Sequence, residues 1–384
     1  MRLVPFALFG VALAAPAAAG SIQFSALLRG EVGDGTNPFL RPGVTQGSGL
    51  ASGSFTPKFF YQTARSATTL DGEYSRQQYF SRYGYTDSLR ATLGRTDQLS
   101  AQLQTTLGAS FTTSNKVTIT DPSQVADQDP LNIGRRTYKS SGQYALQWQA
   151  SAKDQLSYGA QIEHLAYGGG QSTVSTLASD YTQVSVNGGY NRAVDARTSF
   201  GLQASLSSVK SQIYPDSRTI QPSFTAKRQI NAIWEMDGHV GVVLQRIEGP
   251  FASSTTSVSY GVNLCGAYPR THICLSAQHQ TAPSGYGSLR TNTGINASVS
   301  HDLSEHSHVT VNANYFKTSA SASEGPVIAP TARAFLSSVQ YDRDISQRLS
   351  AGFGGTYQWR STSTLGAGRS IAGTIHVTAK LGRM

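Results

Sequence analysis

Leu99-Ser100-Ala101-Gln102-Leu103-Gln104-Thr105-Thr106-Leu107-Gly108-Ala109-Ser110-Phe111 is the stretch that decides the fold class. Taken alternately, Leu99, Ala101, Leu103, Thr105, Leu107, Ala109 and Phe111 fall on one face, and Ser100, Gln102, Gln104, Thr106, Gly108 and Ser110 on the other. Side chains of a strand point to opposite sides in turn, so one face suits hydrocarbon and the other water. The segment before it repeats the pattern, with Tyr85, Leu89, Ala91 and Leu93 against Ser88, Arg90, Thr92 and Gly94. Thr96-Asp97-Gln98 between the two runs reads as a hairpin turn.

The same architecture recurs along the chain. Tyr144, Leu146 and Trp148 precede Leu156, Tyr158, Ala160 and Ile162, with Lys153-Asp154 as the join. A three-residue loop there would set Trp148 beside Tyr158 as a cross-strand aromatic pair. Further hairpins pair Val184, Val186 and Tyr190 with Phe200, Leu202, Ala204 and Leu206, and Ile295, Ala297 and Val299 with Val309, Val311, Ala313 and Tyr315. Val339 and Tyr341 face Leu349, Ala351 and Phe353, and the chain closes on Ile371, Ile375, Val377 and Leu381. The count is about 18 strands, the even number expected of an antiparallel up-and-down transmembrane β-barrel. Long connections at Gly33–Gly49, Asn115–Arg135, Gly168–Thr176 and Ser321–Pro326 all fall at one end, and short turns at the other.

Composition agrees. The chain has 38 Gly, 18 Tyr and 15 Phe with only 14% charged residues, against about 25% in a soluble domain. A soluble sandwich would also alternate, but a propeller would show a repeat of about 40 residues with fixed signatures, which is missing here. Residues 1–19 run from Met1-Arg2 through the apolar Leu3–Ala14 to Pro16-Ala17-Ala18-Ala19, the order of a cleaved signal peptide. The apolar run is too short for a spanning helix, which needs about 20 residues. This predicts a barrel over 20–384 in the outer membrane of a Gram-negative bacterium, with both termini periplasmic. Losing Arg2 and no acid takes the formal charge from +9 to +8. With this localisation, the charges are expected to serve lipopolysaccharide phosphates or an anion-tolerant pore rather than nucleic acid, and membrane lipid and the barrel-assembly machinery are further expected partners.

Cys265 and Cys274 flank Tyr268-Pro269-Arg270-Thr271. If Tyr268 pairs with Thr271, counting outward sets Cys265 against Cys274 at a non-hydrogen-bonded position, where side chains lie closest. A cross-strand disulfide facing the lumen is expected in an oxidising compartment.

Other constellations carry less chemistry. His301, His306 and His308 surround Asp302 and Glu305 at a turn, but His301 and His308 fall on opposite faces, and metal ligands must converge. Asp121, Asp127 and Asp129 lack the central glycine of a helix-loop calcium site. No Gly-x-Ser-x-Gly elbow opens a helix, and no serine, histidine and acid are set to meet, so neither an enzyme nor a cofactor is expected.

The wet face is more informative. Lys58, Arg90, Gln102, Gln104, Lys139, Gln143, Gln147, Gln149, Gln203, Asn292, Asn296, Asn312, Asn314, Gln358, Arg360, His376 and Lys380 are its expected pore-lining residues. Amides outnumber charges, and the charges lean positive. Such a wall suits neutral or weakly anionic hydrophilic cargo.

Gly33-Asp34-Gly35-Thr36-Asn37-Pro38-Phe39-Leu40, Phe55-Thr56-Pro57-Lys58-Phe59-Phe60-Tyr61 and Thr96-Asp97-Gln98-Leu99-Ser100 resemble segments of the β-barrel porins of the second type. The resemblance implies an outer-membrane pore of proteobacteria, linked with exopolysaccharide export through a periplasmic partner. The end, Lys380-Leu381-Gly382-Arg383-Met384, departs from the terminal aromatic usual in outer-membrane strands. A wide export conduit, a diffusion porin narrowed by an inward loop, and a plugged structural or adhesin barrel are the three readings left open.

Overall fold

Strong alternation with short polar turns leaves each strand one neighbour on either side, and only closure removes the two edges. The computed structural model describes residues 20–81, 83–115, 136–168, 179–212, 215–249, 252–283, 289–320, 331–362 and 366–382. The residues expected to form the signal peptide lie outside them. So do most or all of the loops at Asn115–Arg135, Gly168–Thr176 and Ser321–Pro326, with Asp121, Asp127 and Asp129.

The described residues form eighteen antiparallel strands and no helix. In chain order they are β1 (Ser21–Thr36), β2 (Gly47–Gln62), β3 (Ser66–Tyr79), β4 (Tyr85–Gln98), β5 (Leu103–Ser114), β6 (Thr137–Gln149), β7 (Asp154–Tyr167), β8 (Tyr181–Ala193) and β9 (Thr198–Ser211). The second half holds β10 (Ser217–Gln229), β11 (Trp234–Ile247), β12 (Ser253–Tyr268), β13 (Thr271–Pro283), β14 (Leu289–Ser304), β15 (Ser307–Ala320), β16 (Ala332–Ser346), β17 (Leu349–Thr362) and β18 (Gly366–Gly382). Each strand pairs with its successor, and β1 pairs with β18 from Ser25↔Gly382 to Gly35↔Ala372, which closes the barrel. The shortest strand has 12 residues, more than the about 9–11 that a tilted membrane strand requires.

The outer face presents large apolar side chains on every strand from Ile22 and Phe24 to Ile375 and Leu381. Aromatic pairs stand toward both ends of its band: Phe335 with Tyr357 at 6.1 Å and Tyr341 with Phe353 at 5.1 Å, both across β16 and β17. Connections of two to four residues join strands at the end that holds both termini, and the longer loops gather at the other.

Three sequence expectations shift. The turn between β4 and β5 is Leu99–Gln102, not Thr96–Gln98. Asp97 is held in β4 by Arg95 at 2.8 Å, while Ser100 Oγ accepts the Gln102 N–H at 3.2 Å and closes the turn three residues later. Ala150–Lys153 likewise makes a four-residue turn, in which Ser151 Oγ accepts the N–H groups of Lys153 and Asp154. The register therefore moves by two, so Trp148 faces Leu156 and Tyr158 faces Leu146. The loop drawn at Gly33–Gly49 shortens to 37–46, because Gly33–Thr36 continue the ladder opposite Gly47–Leu50.

Candidate functional site: the inner wall and its inward loop

A loop with two apolar residues in sequence, Phe39-Leu40, has to bury them somewhere. The 37–46 loop folds inside the barrel. Phe39 and Leu40 pack with Phe316 of β15 and Ala332, Ala334 and Leu336 of β16, four and three strands beyond β1 around the closed sheet. Their partners alternate with the outward Tyr315, Phe335 and Val339, so the contact is on the inner wall.

Side-chain hydrogen bonds fix the loop. Asn37 Nδ2 donates to the carbonyls of Arg41 at 2.8 Å and Arg369 at 3.1 Å, and its Oδ1 accepts the Arg41 N–H at 2.8 Å. Asn37 (φ 43°) and Leu40 (φ 53°) both hold left-handed backbone. Asparagine tolerates that region through such local bonds, but leucine does not favour it. Leu40 is nevertheless only 3% exposed, so its packing holds the strained conformation. Tyr83, in the next loop at this end, braces the assembly: its hydroxyl donates to Gln46 O at 2.7 Å and its ring meets Phe39 and Tyr79. Arg41 projects from the shelf, exposed, its guanidinium 5.7 Å from the Phe39 ring centre.

The neighbouring wall carries a polar row. Asp342 of β16 lies between two histidines: His376 Nε2 at 2.7 Å from Oδ1, and His308 Nε2 at 3.5 Å from Oδ2. Gln340 Nε2 donates to Oδ2 at 2.7 Å. His376 is 1% exposed, and its Nδ1 has no hydrogen-bond partner.

Comparison with solved structures relates this architecture to barrels of known identity. OpdK of Pseudomonas aeruginosa, an outer membrane protein, is 10% identical with a TM-score of 0.47, over 94% of this chain and 99% of that one. OccK2 (OpdF) of the same organism is 10% identical with a TM-score of 0.49, over 94% and 98%. The FrpB iron transporter of Neisseria meningitidis, in its F5-1 apoprotein form, is 7% identical with a TM-score of 0.50, over 94% and 81%. The barrel fold is shared with FrpB. No family model and no curated protein matches the chain, so the likeness to second-type porins extends no further than the barrel.

The residues expected to line the lumen occupy the following places. Lys58 stands 3.9 Å from Asp71, Lys139 3.1 Å from Glu163, and Lys380 3.2 Å from Asp344. Arg90 is opposite Glu73, Gln104 opposite Gln147, and Gln143 opposite Gln161. Gln149 faces Gln155, and Gln203 sits between Gly189 and Ser223. Asn312 faces Ser298, Asn314 faces Asn296, and Gln358 and Arg360 flank the apolar patch under Leu40 at Leu336 and Ala334. Asn292 is buried between Gln280 and Thr318. Gln102 is the exception: it belongs to the β4–β5 turn and no strand, because the strand begins one residue later.

Cys265 and Cys274 pair in register and form a disulfide with a Cα–Cα distance of 4.2 Å. His301 Nδ1 lies 2.8 Å from Thr271 Oγ1, whereas His308 turns to Asp342 on the other face. Sequence reasoning missed Asp342 and the inward course of Phe39-Leu40. The one available signal was Asn37-Pro38-Phe39-Leu40 itself, an apolar pair next to turn formers.

Proposed function

We propose that the protein is an outer-membrane pore for small hydrophilic solutes, narrowed by the 37–46 loop. The carrying observation is that loop, folded against the inner wall of a closed eighteen-stranded barrel whose outer face is apolar. Barrels of 16–18 strands have room for an aqueous channel, and a loop inside one reduces its cross-section at that level. The same narrowing weighs against the wide conduit that polysaccharide export with a periplasmic partner requires, and no observation favours that narrower reading. OpdK and OccK2 are too distant to carry an argument about cargo. The reading assigns no catalysis.

The loop end is read as external and the termini as periplasmic, with barrel-assembly machinery as the insertion partner. Support comes from charge. On the outer face near the loops, Lys317 of β15 sits directly opposite Arg333 of β16, and among the described residues no carboxylate lies within 4 Å of either. Like charges in direct cross-strand register repel. Phosphates of lipopolysaccharide in the outer leaflet would neutralise them. Elsewhere on the same rim Arg218 has an internal partner in Glu248 at 3.0 Å.

Proteoliposome swelling tests the function. Vesicles holding the folded protein are expected to swell in isotonic arabinose or sucrose and to stay unchanged in dextran. No swelling in arabinose would overturn the pore; entry of dextran would overturn the narrowing.

A further inference from the structure

We propose that a recess in the inner wall across β7–β11 is a binding subsite for a small neutral polyhydroxylated solute, such as a polyol or a single sugar ring. The proposal rests on the pore reading for its biological sense, since a site on the inner wall meets only what enters the lumen. Its physical basis is separate.

The recess has a volume of about 150 Å³ and is lined by Ser157, Asn187, Gln203, Ser205, Gln221 and His239, among others. Drug-sized ligands occupy roughly 300–1,000 Å³, so this one admits a single ring or a short polyol. Register explains why the wall is concave here. Asn187 stands opposite Gly159, and His239 opposite Gly261. A Cβ at Gly159 would come 2.5 Å from Asn187 Oδ1, and one at Gly261 would come 2.5 Å from His239 Cε1. The glycines thus let the amide and the imidazole lie down along the wall instead of standing into the lumen. What remains is a depression floored by polar atoms.

Those atoms are unused. Ser157, Asn187, Gln203, Ser205 and His239 make no side-chain hydrogen bond within the described protein, and of the six only Gln221 does, to Ser259 at 3.0 Å. Some other polar side chains of the inner wall pair with one another: Ser110 with Ser141 at 2.8 Å, Asn296 with Ser276 at 3.1 Å, Lys139 with Glu163 at 3.1 Å. The recess therefore sets several free amides and hydroxyls side by side in one depression.

Its chemistry selects the ligand class. Each amide offers a carbonyl acceptor and two N–H donors, and each hydroxyl can do both. The lining holds no carboxylate, ammonium or guanidinium, so an ion would shed water there without gaining a charge partner. A neutral molecule with several hydroxyls gives up its hydration for equivalent bonds, and its affinity is weak enough to let it leave again, as passage requires.

The test reads binding without conduction. Saturation-transfer NMR with D-glucose is run on the detergent-folded full chain and on a variant carrying Asn187→Leu and Gln203→Leu, with heat-modifiable gel mobility to show that each is folded. Transfer to glucose in the parent, lost in the folded variant, is expected. No transfer in the parent, or equal transfer in both, overturns the subsite. Should the double variant fail to fold, Gln203→Leu alone replaces it and must weaken the transfer. The swelling experiment fails or succeeds independently, so loss of the pore reading and loss of the subsite are told apart.

Discussion

The carbonyl group of Leu40 occupies the space that a side chain on Gly368 would need. Leu40 belongs to the inward loop and Gly368 to the inner face of β18, so this approach seats the loop on the wall. Gly368→Val must push the loop away, at a cost of roughly 1–3 kcal/mol by analogy with overpacking. Single-channel recording is expected to show a larger, noisier current than the parent's. Gly373→Val on the outer face of the same strand, where a Cβ meets nothing within 4 Å, should leave the current unchanged.

Arg41 carries the exposed charge of the constricting shelf. A fixed charge at a narrowing governs which ions enter. Arg41→Glu is therefore expected to move the reversal potential in a salt gradient toward cation selectivity, with little change in barrel stability. An unmoved reversal potential would mean that Arg41 stands outside the current path.

His376 depends on Asp342 for its Nε2 hydrogen bond. Asp342→Ala leaves a buried imidazole nitrogen without its acceptor, a loss of about 1–3 kcal/mol, visible as a lower urea midpoint. Adding His376→Ala removes the orphan, so the double variant should be less destabilised than the sum of the two single changes. Strict additivity would show that the pair is not coupled.

Lys317 and Arg333 face each other without an acid between them. Lipopolysaccharide is expected to raise the unfolding temperature of the parent and to do so less for the variant carrying Lys317→Gln and Arg333→Gln. Equal stabilisation would place the lipid contact elsewhere.

The barrel was legible because its evidence is local and repeated. Leu103, Leu107 and Tyr144 alternate with Gln104, Gly108 and Gln143, and one residue of slip would turn every one of them to the wrong face. Closure followed from the need to leave no open edge. Turn positions were less secure: Ser100 and Ser151 form hydrogen-bonded turns that add residues to the connection, and this moved Gln102 off the wall and Trp148 away from Tyr158. The inward course of the loop was not legible beyond the apolar pair Phe39-Leu40 beside turn formers. Phe39 and Leu40 are in contact with Phe316 and Leu336, nearly three hundred residues away in sequence, only because β1 closes on β18. Asp342 was missed for the same reason, since His308 and His376 reach it from different strands.

The most direct test of the account is single-channel conductance in planar bilayers of the parent and of a variant in which residues 38–45 are replaced by a short glycine-serine turn. The account predicts a steady ion current through the parent and a current larger by roughly twofold or more once the constriction is removed. A parent that conducts nothing, or a variant that conducts no better, would contradict it.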